Sequence, residues 1–186
     1  CKLFGMQLIF VDREAYRHKH NLYDLYFKDK HETYFIDEGG ASEEAVKGCS
    51  EIIEELTEPF DYIFCAAGTG TTAAGLLRGI NAAQLDTELH IIPVLKGGDF
   101  ITSEISRYEK DISKLHLHLD YHFGGYAKTT NVLIAFIKEF TAATGLLIDP
   151  VYTAKMFYAI NDLVNKNALK KDARILAIHT GGLLGI

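Results

Sequence analysis

The sequence predicts an α/β protein: a mostly parallel, twisted sheet with helices on both faces. Three observations predict it. Apolar runs such as Tyr62-Ile63-Phe64-Cys65-Ala66 and residues 89–95 are continuous rather than alternating, as strands buried on both faces are. Helical segments separate these runs, which is the order that feeds parallel strands. Glycine-rich turns end three segments, at 68–72, 97–98 and 181–182, and ligands of such sheets sit outside the carboxyl ends of the strands.

Each element has its own signal. Gly5 reads as the C-cap of a helix that is almost absent, so the chain is expected to begin inside a helix, as the later part of a longer protein. Residues 7–11 read as a strand, 13–28 as a polar, tyrosine-rich helix, and 33–37 as a short strand ending in Asp37-Glu38-Gly39-Gly40. Ser42 caps the next helix, with Glu43 and Glu44 at its positive end. Ala45, Val46, Cys49, Ile52, Ile53 and Leu56 fall along one face of that helix, and Pro59 stops it. Strand 61–66, helix 73–83 and strand 89–95 follow. Residues 100–112 read as a helix, and 115–123 alternate like a strand. The segment 130–144 is an amphipathic helix carrying Val132, Leu133, Phe136, Ile137 and Phe140, closed by Gly145. Asp149-Pro150 opens a helix to about Asn165, and 173–178 is the final strand, before His179-Thr180-Gly181-Gly182.

Composition narrows the function. The 186 residues are 48% hydrophobic, enough for a sizeable core. The net charge is −6 with both signs interspersed, so the basic stripe of a nucleic-acid binder is missing. No apolar run reaches bilayer length and no signal peptide is read. Cys1, Cys49 and Cys65 form no CxxC pair and no even framework. Cys49 and Cys65 read as small buried hydrophobes of a reduced, cytoplasmic protein.

Chemistry concentrates in GTGTT, residues 68–72. It lies between an apolar strand and a helix start, the arrangement that gathers backbone N–H groups around a phosphate. Gly68 and Gly70 let the chain turn sharply, and Thr69, Thr71 and Thr72 add hydroxyls. No Lys follows, so this is not a Walker loop, and it is not GxGxxG. A tight turn without a ligand is the alternative. His116, His118, Asp120 and His122 form a second constellation, all on one face if 115–123 is a strand. Those are zinc-type ligands. Ligands along one strand are splayed apart, so a polar face leading into the next turn is preferred and no metal is expected. His179 reads as structural, and His18, His20 and His31 as surface residues.

Several of these segments carry a resemblance. AAGTGTTAAGL (66–76), DPVYTAK (149–155) and ILAIHTGGL (175–183) occur in that order, with DEGGASEEAVKG (37–48) and GGYAKTTN (124–131). Together they resemble the 1-aminocyclopropane-1-carboxylate deaminase and D-cysteine desulfhydrase family of pyridoxal-phosphate enzymes, in the tryptophan-synthase-β-like, fold-type-II group. The resemblance covers essentially the whole chain. It implies pyridoxal 5'-phosphate as cofactor, a small amino acid as substrate, a homodimer, and a two-domain fold. Residues 1–40 would be the remainder of the small domain and 41–186 the large cofactor domain.

The resemblance also implies roles. Gly68, Thr69, Gly70, Thr71 and Thr72 match the family's phosphate cup. Tyr152 matches a tyrosine beside the cofactor ring and substrate, and Tyr126 a second active-site tyrosine. Thr180, with Gly181 beside it, matches the hydroxyl near the pyridine nitrogen. Tyrosines that cap a core, and a turn hydroxyl bonding its own backbone, are the structural alternatives. Thr153 stands where the deaminases proper have a glutamate paired with the pyridine nitrogen. A carboxylate there makes the ring a strong electron sink and a neutral hydroxyl does so less. That favours α,β-elimination from D-cysteine, giving pyruvate, ammonia and sulfide, over cyclopropane opening to 2-oxobutanoate and ammonia. The family's Schiff-base lysine has no match here, and Lys96, Lys128 and Lys155 do not fill its place. These residues alone are therefore expected to be inactive, as part of an active parent. A non-catalytic phosphate-binding module is the other class kept open.

Overall fold

Four parallel strands, β1 (Tyr62–Ala67), β2 (Glu88–Pro93), β3 (Leu115–Leu117) and β4 (Ile175–Ile178), form one sheet in the order β3-β2-β1-β4 in the computed structural model. The structure describes residues 2–182; Cys1 and Leu183, the last residue of the 175–183 motif, lie outside them. The chain divides into two compact units, Cys1–Ile36 and Asp37–Ile186.

The sheet and five helices make up the second unit: α3 (Glu43–Glu54), α4 (Thr71–Ala82), α5 (Phe100–Tyr108), α6 (Asn131–Thr144) and α7 (Thr153–Asn165). Strand side chains alternate between two faces, and both faces are covered. Ile63, Cys65, Ala67, Leu89 and Ile91 meet α3, α4 and α5 through Val46, Ile53, Leu76, Leu77, Ile80, Ile101 and Ile105. Phe64, Ala66, Ile92 and Val94 meet α7 through Met156, Ala159 and Leu163. Each fully buried large side chain of this kind contributes about 1.5–3 kcal/mol. Leu133 of α6 joins Ile148 and Ala154 in a third cluster, while Val132 on the same helix is exposed.

Most of the helix ends follow local chemistry. Ser42 Oγ accepts from Ala45 N and Thr130 Oγ1 from Leu133 N, each closing a helix start. Gly145, with φ 73°, closes α6. Helix α4 starts at Thr71, inside the glycine loop, and α7 starts at Thr153, after the Asp149-Pro150 turn.

Three expected strands are absent or short. Residues 7–11 and 33–37 pair with no strand among the described residues. In their unit, α1 (Arg13–Arg17) and α2 (Lys19–Phe27) are interrupted at His18. The 33–35 stretch is tied to α2 by side chains instead: Tyr23 Oη donates to Thr33 O at 3.1 Å, and the Phe35 ring lies 5.3 Å from that of Tyr23. Apolar propensity makes a strand only where a ladder is available. The 115–123 segment is a strand only to Leu117; Leu119–His122 is a 3-10 turn that ends at Phe123, φ 51°. His116, His118, Asp120 and His122 therefore do not share one strand face.

Helices α3 and α4 touch at their backbones. A Cβ at Gly75 would meet Cys49 Cβ and lie 2.6 Å from Val46 O; one at Gly79 would lie 2.7 Å from Ile53 Cγ1. Overpacking of this kind costs about 1–3 kcal/mol, sometimes more. Gly75→Ala is expected to lower unfolding free energy by about 2–3 kcal/mol in urea titration, although alanine is the better helix former.

Candidate functional site

The strand order reverses between β1 and β4, and a cavity of about 200 Å3 opens there, at the carboxyl ends of both strands. Its wall contains Gly68, Thr69, Gly70, Thr71 and Thr72 after β1, Thr180 after β4, Gly39, and Tyr152. Seven of the ten residues singled out from sequence thus line one space.

The glycine loop is shaped for a close ligand. Gly70 is the N-cap of α4 at φ 91°, and it offers no capping side chain. The first-turn amides of Thr71, Thr72 and Ala73 have no acceptor within the helix, and the positive end of the helix faces the same way. A Cβ on Gly68 would stand 3.1 Å from Tyr152 Oη, and one on Gly70 3.3 Å from Ile101 Cγ2. A Cβ on Gly39 would lie 2.6 Å from Thr69 Oγ1, so the 37–40 loop closes over Thr69. Thr69 Oγ1 and Thr71 Oγ1 are 3.3 Å apart. Bare amides, three hydroxyls and a helix dipole make a neutral-walled cradle for a phosphate-sized anion.

Tyr152 borders the cradle and meets Tyr126 edge to face, with centroids 6.1 Å apart. Burial and the Tyr126 hydroxyl push the Tyr152 phenol up to about 12, so it keeps its proton at neutral pH. Tyr126 itself is largely exposed, at the outer edge of the site.

Thr153 and Gly181 lie outside the cavity wall. Thr153 is fully buried, and its hydroxyl donates to Asp149 Oδ2 at 2.7 Å and accepts from Asp149 N at 2.9 Å. Gly181, φ 87°, donates its N–H to His179 Nδ1, and the other nitrogen of His179 meets Leu147 O. His179 is thus bound into the turn. Of the three glycine turns, 97–98 also stays outside the wall, with Gly98 packed on Pro93.

Two organising residues stand beside those singled out from sequence as site residues. Asp149 accepts from the amides of Val151, Tyr152 and Thr153 as well as from the Thr153 hydroxyl. It is the carboxylate that starts α7 and fixes where Tyr152 stands. Its signal was the D-P-x-x-T spacing, an Asp ahead of a helix start. Lys155 is fully buried, with Nζ donating to Val94 O at 2.9 Å and Gly125 O at 2.8 Å. It ties α7 to the end of β2 and to the loop carrying Tyr126. Burial pushes its ammonium down to about 8. No local pattern announces a lysine at such a place.

Known proteins were compared with the chain. The sequence profile of the family described as pyridoxal-phosphate dependent enzyme matches residues 1–181. A Pyrococcus horikoshii protein, provisionally named 1-aminocyclopropane-1-carboxylate deaminase, is 36% identical over 165 residues, 82% of this chain and 50% of that protein. The Arabidopsis thaliana mitochondrial bifunctional D-cysteine desulfhydrase/1-aminocyclopropane-1-carboxylate deaminase is 29% identical, over 86% of this chain and 44% of its own length. A crystal structure of an ACC deaminase homologue superposes with a TM-score of 0.82 at 28% identity, covering 99% of this chain and 61% of that one. The chain spans about half the length of the curated relatives it matches.

Asp149→Ala removes the acceptor of three backbone N–H groups and is expected to cost about 2–3 kcal/mol, whereas Thr153→Val costs about 1 kcal/mol; urea titration separates them. Lys155 has a folded value near 8 against an ordinary 10.5. Between these values the unfolded chain holds a proton that the fold does not, so this group makes stability rise with pH across that window. Urea midpoints at pH 8 and pH 10 are expected to show a smaller rise in Lys155→Met than in the unaltered chain.

Proposed function

We propose, on the premise that this chain belongs to the pyridoxal-phosphate dependent enzyme family, that it is the cofactor-holding part of a lyase acting on a small amino acid, with D-cysteine preferred. The observation that carries the reading is the single cavity that gathers the glycine loop, Thr180 and Tyr152 where β1 and β4 diverge.

The residues present fit the cofactor's phosphate, because the cradle offers amides and hydroxyls and a side chain on Gly68 or Gly70 would intrude on its walls. Pyridoxal phosphate, when bound, supplies an electron sink for the bond broken at the amino acid's α-carbon. The amides of Gly68 to Thr72 and the Thr72 hydroxyl would hold the phosphate. Thr180 would offer its hydroxyl toward the ring nitrogen, with Gly181 beside it in the turn. Tyr152 keeps a proton on Oη beside the reacting atoms, and Tyr126 orients Tyr152 and closes the outer edge.

The preference for D-cysteine rests on position 153. A threonine already bonded to Asp149 puts no carboxylate of its own on the ring, which suits loss of an α-proton and a thiol better than opening of a cyclopropane. The lysine that holds the cofactor covalently comes, in this reading, from outside these 186 residues. Lys155 is occupied by two carbonyls, and Lys96 and Lys128 lie outside the cavity wall. A homodimer in the cytoplasm, with thiols such as Cys49 and Cys65 free, completes the proposal. No helix among the described residues is long and apolar enough to cross a membrane.

The purified full-length protein, loaded with pyridoxal phosphate, is expected to release pyruvate and sulfide from D-cysteine faster than 2-oxobutanoate from 1-aminocyclopropane-1-carboxylate; the reverse order overturns the preference. Tyr152→Phe is expected to lower kcat by roughly a hundredfold or more with the cofactor spectrum retained. Borohydride reduction and peptide mapping test the lysine: an adduct on Lys96, Lys128 or Lys155 contradicts the proposal.

A further inference from the structure

We infer that Glu88, His90 and His116 form a binding site for a divalent transition-metal ion, zinc being the best match, on the face of the sheet that carries α7.

The site is built by parallel register. Phe64, His90 and His116 are partners across β1, β2 and β3, so their side chains share a face. Glu88 precedes His90 by two residues on β2 and joins that face. One ligand atom from each of Glu88, His90 and His116 lies within 4.8 Å of the others. Glu88 Oε2 is 3.3 Å from His90 Nε2 and 3.4 Å from His116 Nε2. Both separations are long for an N–H···O bond, which prefers about 2.9–3.0 Å. They equal the edge of a tetrahedron: ligand bonds of about 2.0–2.1 Å place donor atoms about 3.3–3.4 Å apart.

The surroundings support ligation. His90 Nδ1 lies 2.9 Å from His118 Nε2, the outer hydrogen bond that sets the tautomer of a metal-bound imidazole. When His90 donates to His118, its Nε2 presents a lone pair to the Glu88 carboxylate, and a cation between them removes that clash. The His90 side chain is 7% exposed, while those of Glu88 and His116 are 46% and 44% exposed. An ion thus has a way in, and water has a fourth position. Two imidazoles and a carboxylate suit zinc better than calcium or magnesium.

The site is separate from the cofactor cavity, which opens at the carboxyl ends of β1 and β4, whereas Glu88 begins β2. Its ligands come from β2 and from the three-residue edge strand β3, so the ion would staple that edge to the sheet.

The test uses the full-length protein, stripped with a chelator and titrated with Co2+ and then Zn2+. One equivalent of Co2+ is expected to give the intense visible bands of a tetrahedral site without thiolate charge transfer. Zn2+ is expected to displace it and raise Tm. His116→Ala and Glu88→Gln, both at half-exposed positions, are each expected to weaken binding tenfold or more with circular dichroism unchanged; Asp120→Asn leaves it unaltered. No one-to-one complex with the unaltered protein, a thiolate signature, or undiminished affinity in both variants overturns the inference.

Discussion

A four-stranded parallel sheet survives in water only while both faces are covered, and the second unit is organised by that requirement. Helices α3 and α4 press together where Gly75 and Gly79 leave room for Cys49 and Ile53, and lay a dense apolar layer on one face. Helix α7 covers the other with Met156, Ala159 and Leu163. Once α4 and α7 lie on opposite faces, their N-termini flank the same sheet edge, and the cavity between β1 and β4 is the consequence.

Those two helix starts solve one electrostatic problem in opposite ways. Both leave first-turn amides without an intrahelical acceptor. At α7 a carboxylate closes the account internally: Asp149 takes three amides and the Thr153 hydroxyl. At α4 the cap is Gly70, which has no side chain to offer, so the amides stay open to an outside anion. The closed start gives Tyr152 a fixed place, and the open start leaves amides for a ligand in the cavity. Lys155 extends the closed side, holding Gly125 and thereby the base of the loop that carries Tyr126.

Much of this was legible in the residues. Strand 61–66 and helix 73–83 are within two residues of β1 and α4, because a continuous apolar run and a small-residue turn are local signals. Ser42, Thr130 and Gly145 end helices as their side chains and φ preferences require. The glycine loop, Tyr152 and Thr180, each marked by a motif in the sequence, meet in one cavity. The misread elements share a cause. Residues 7–11 and 33–37 have strand composition but no ladder, and 115–123 alternates beyond the point where its backbone turns at 119.

The sequence by itself determined the α/β class, most helix caps, the small-residue turn at 68–72 and the family resemblance, since each rests on local patterns and motifs. The tertiary structure alone decided which side chains meet. Lys155 finds Val94 O across 61 residues, and His90 finds His118 across 28. The physical reason is that a buried polar group must be satisfied by whatever the fold brings near it, and that neighbour is set by strand register and helix packing rather than by local sequence.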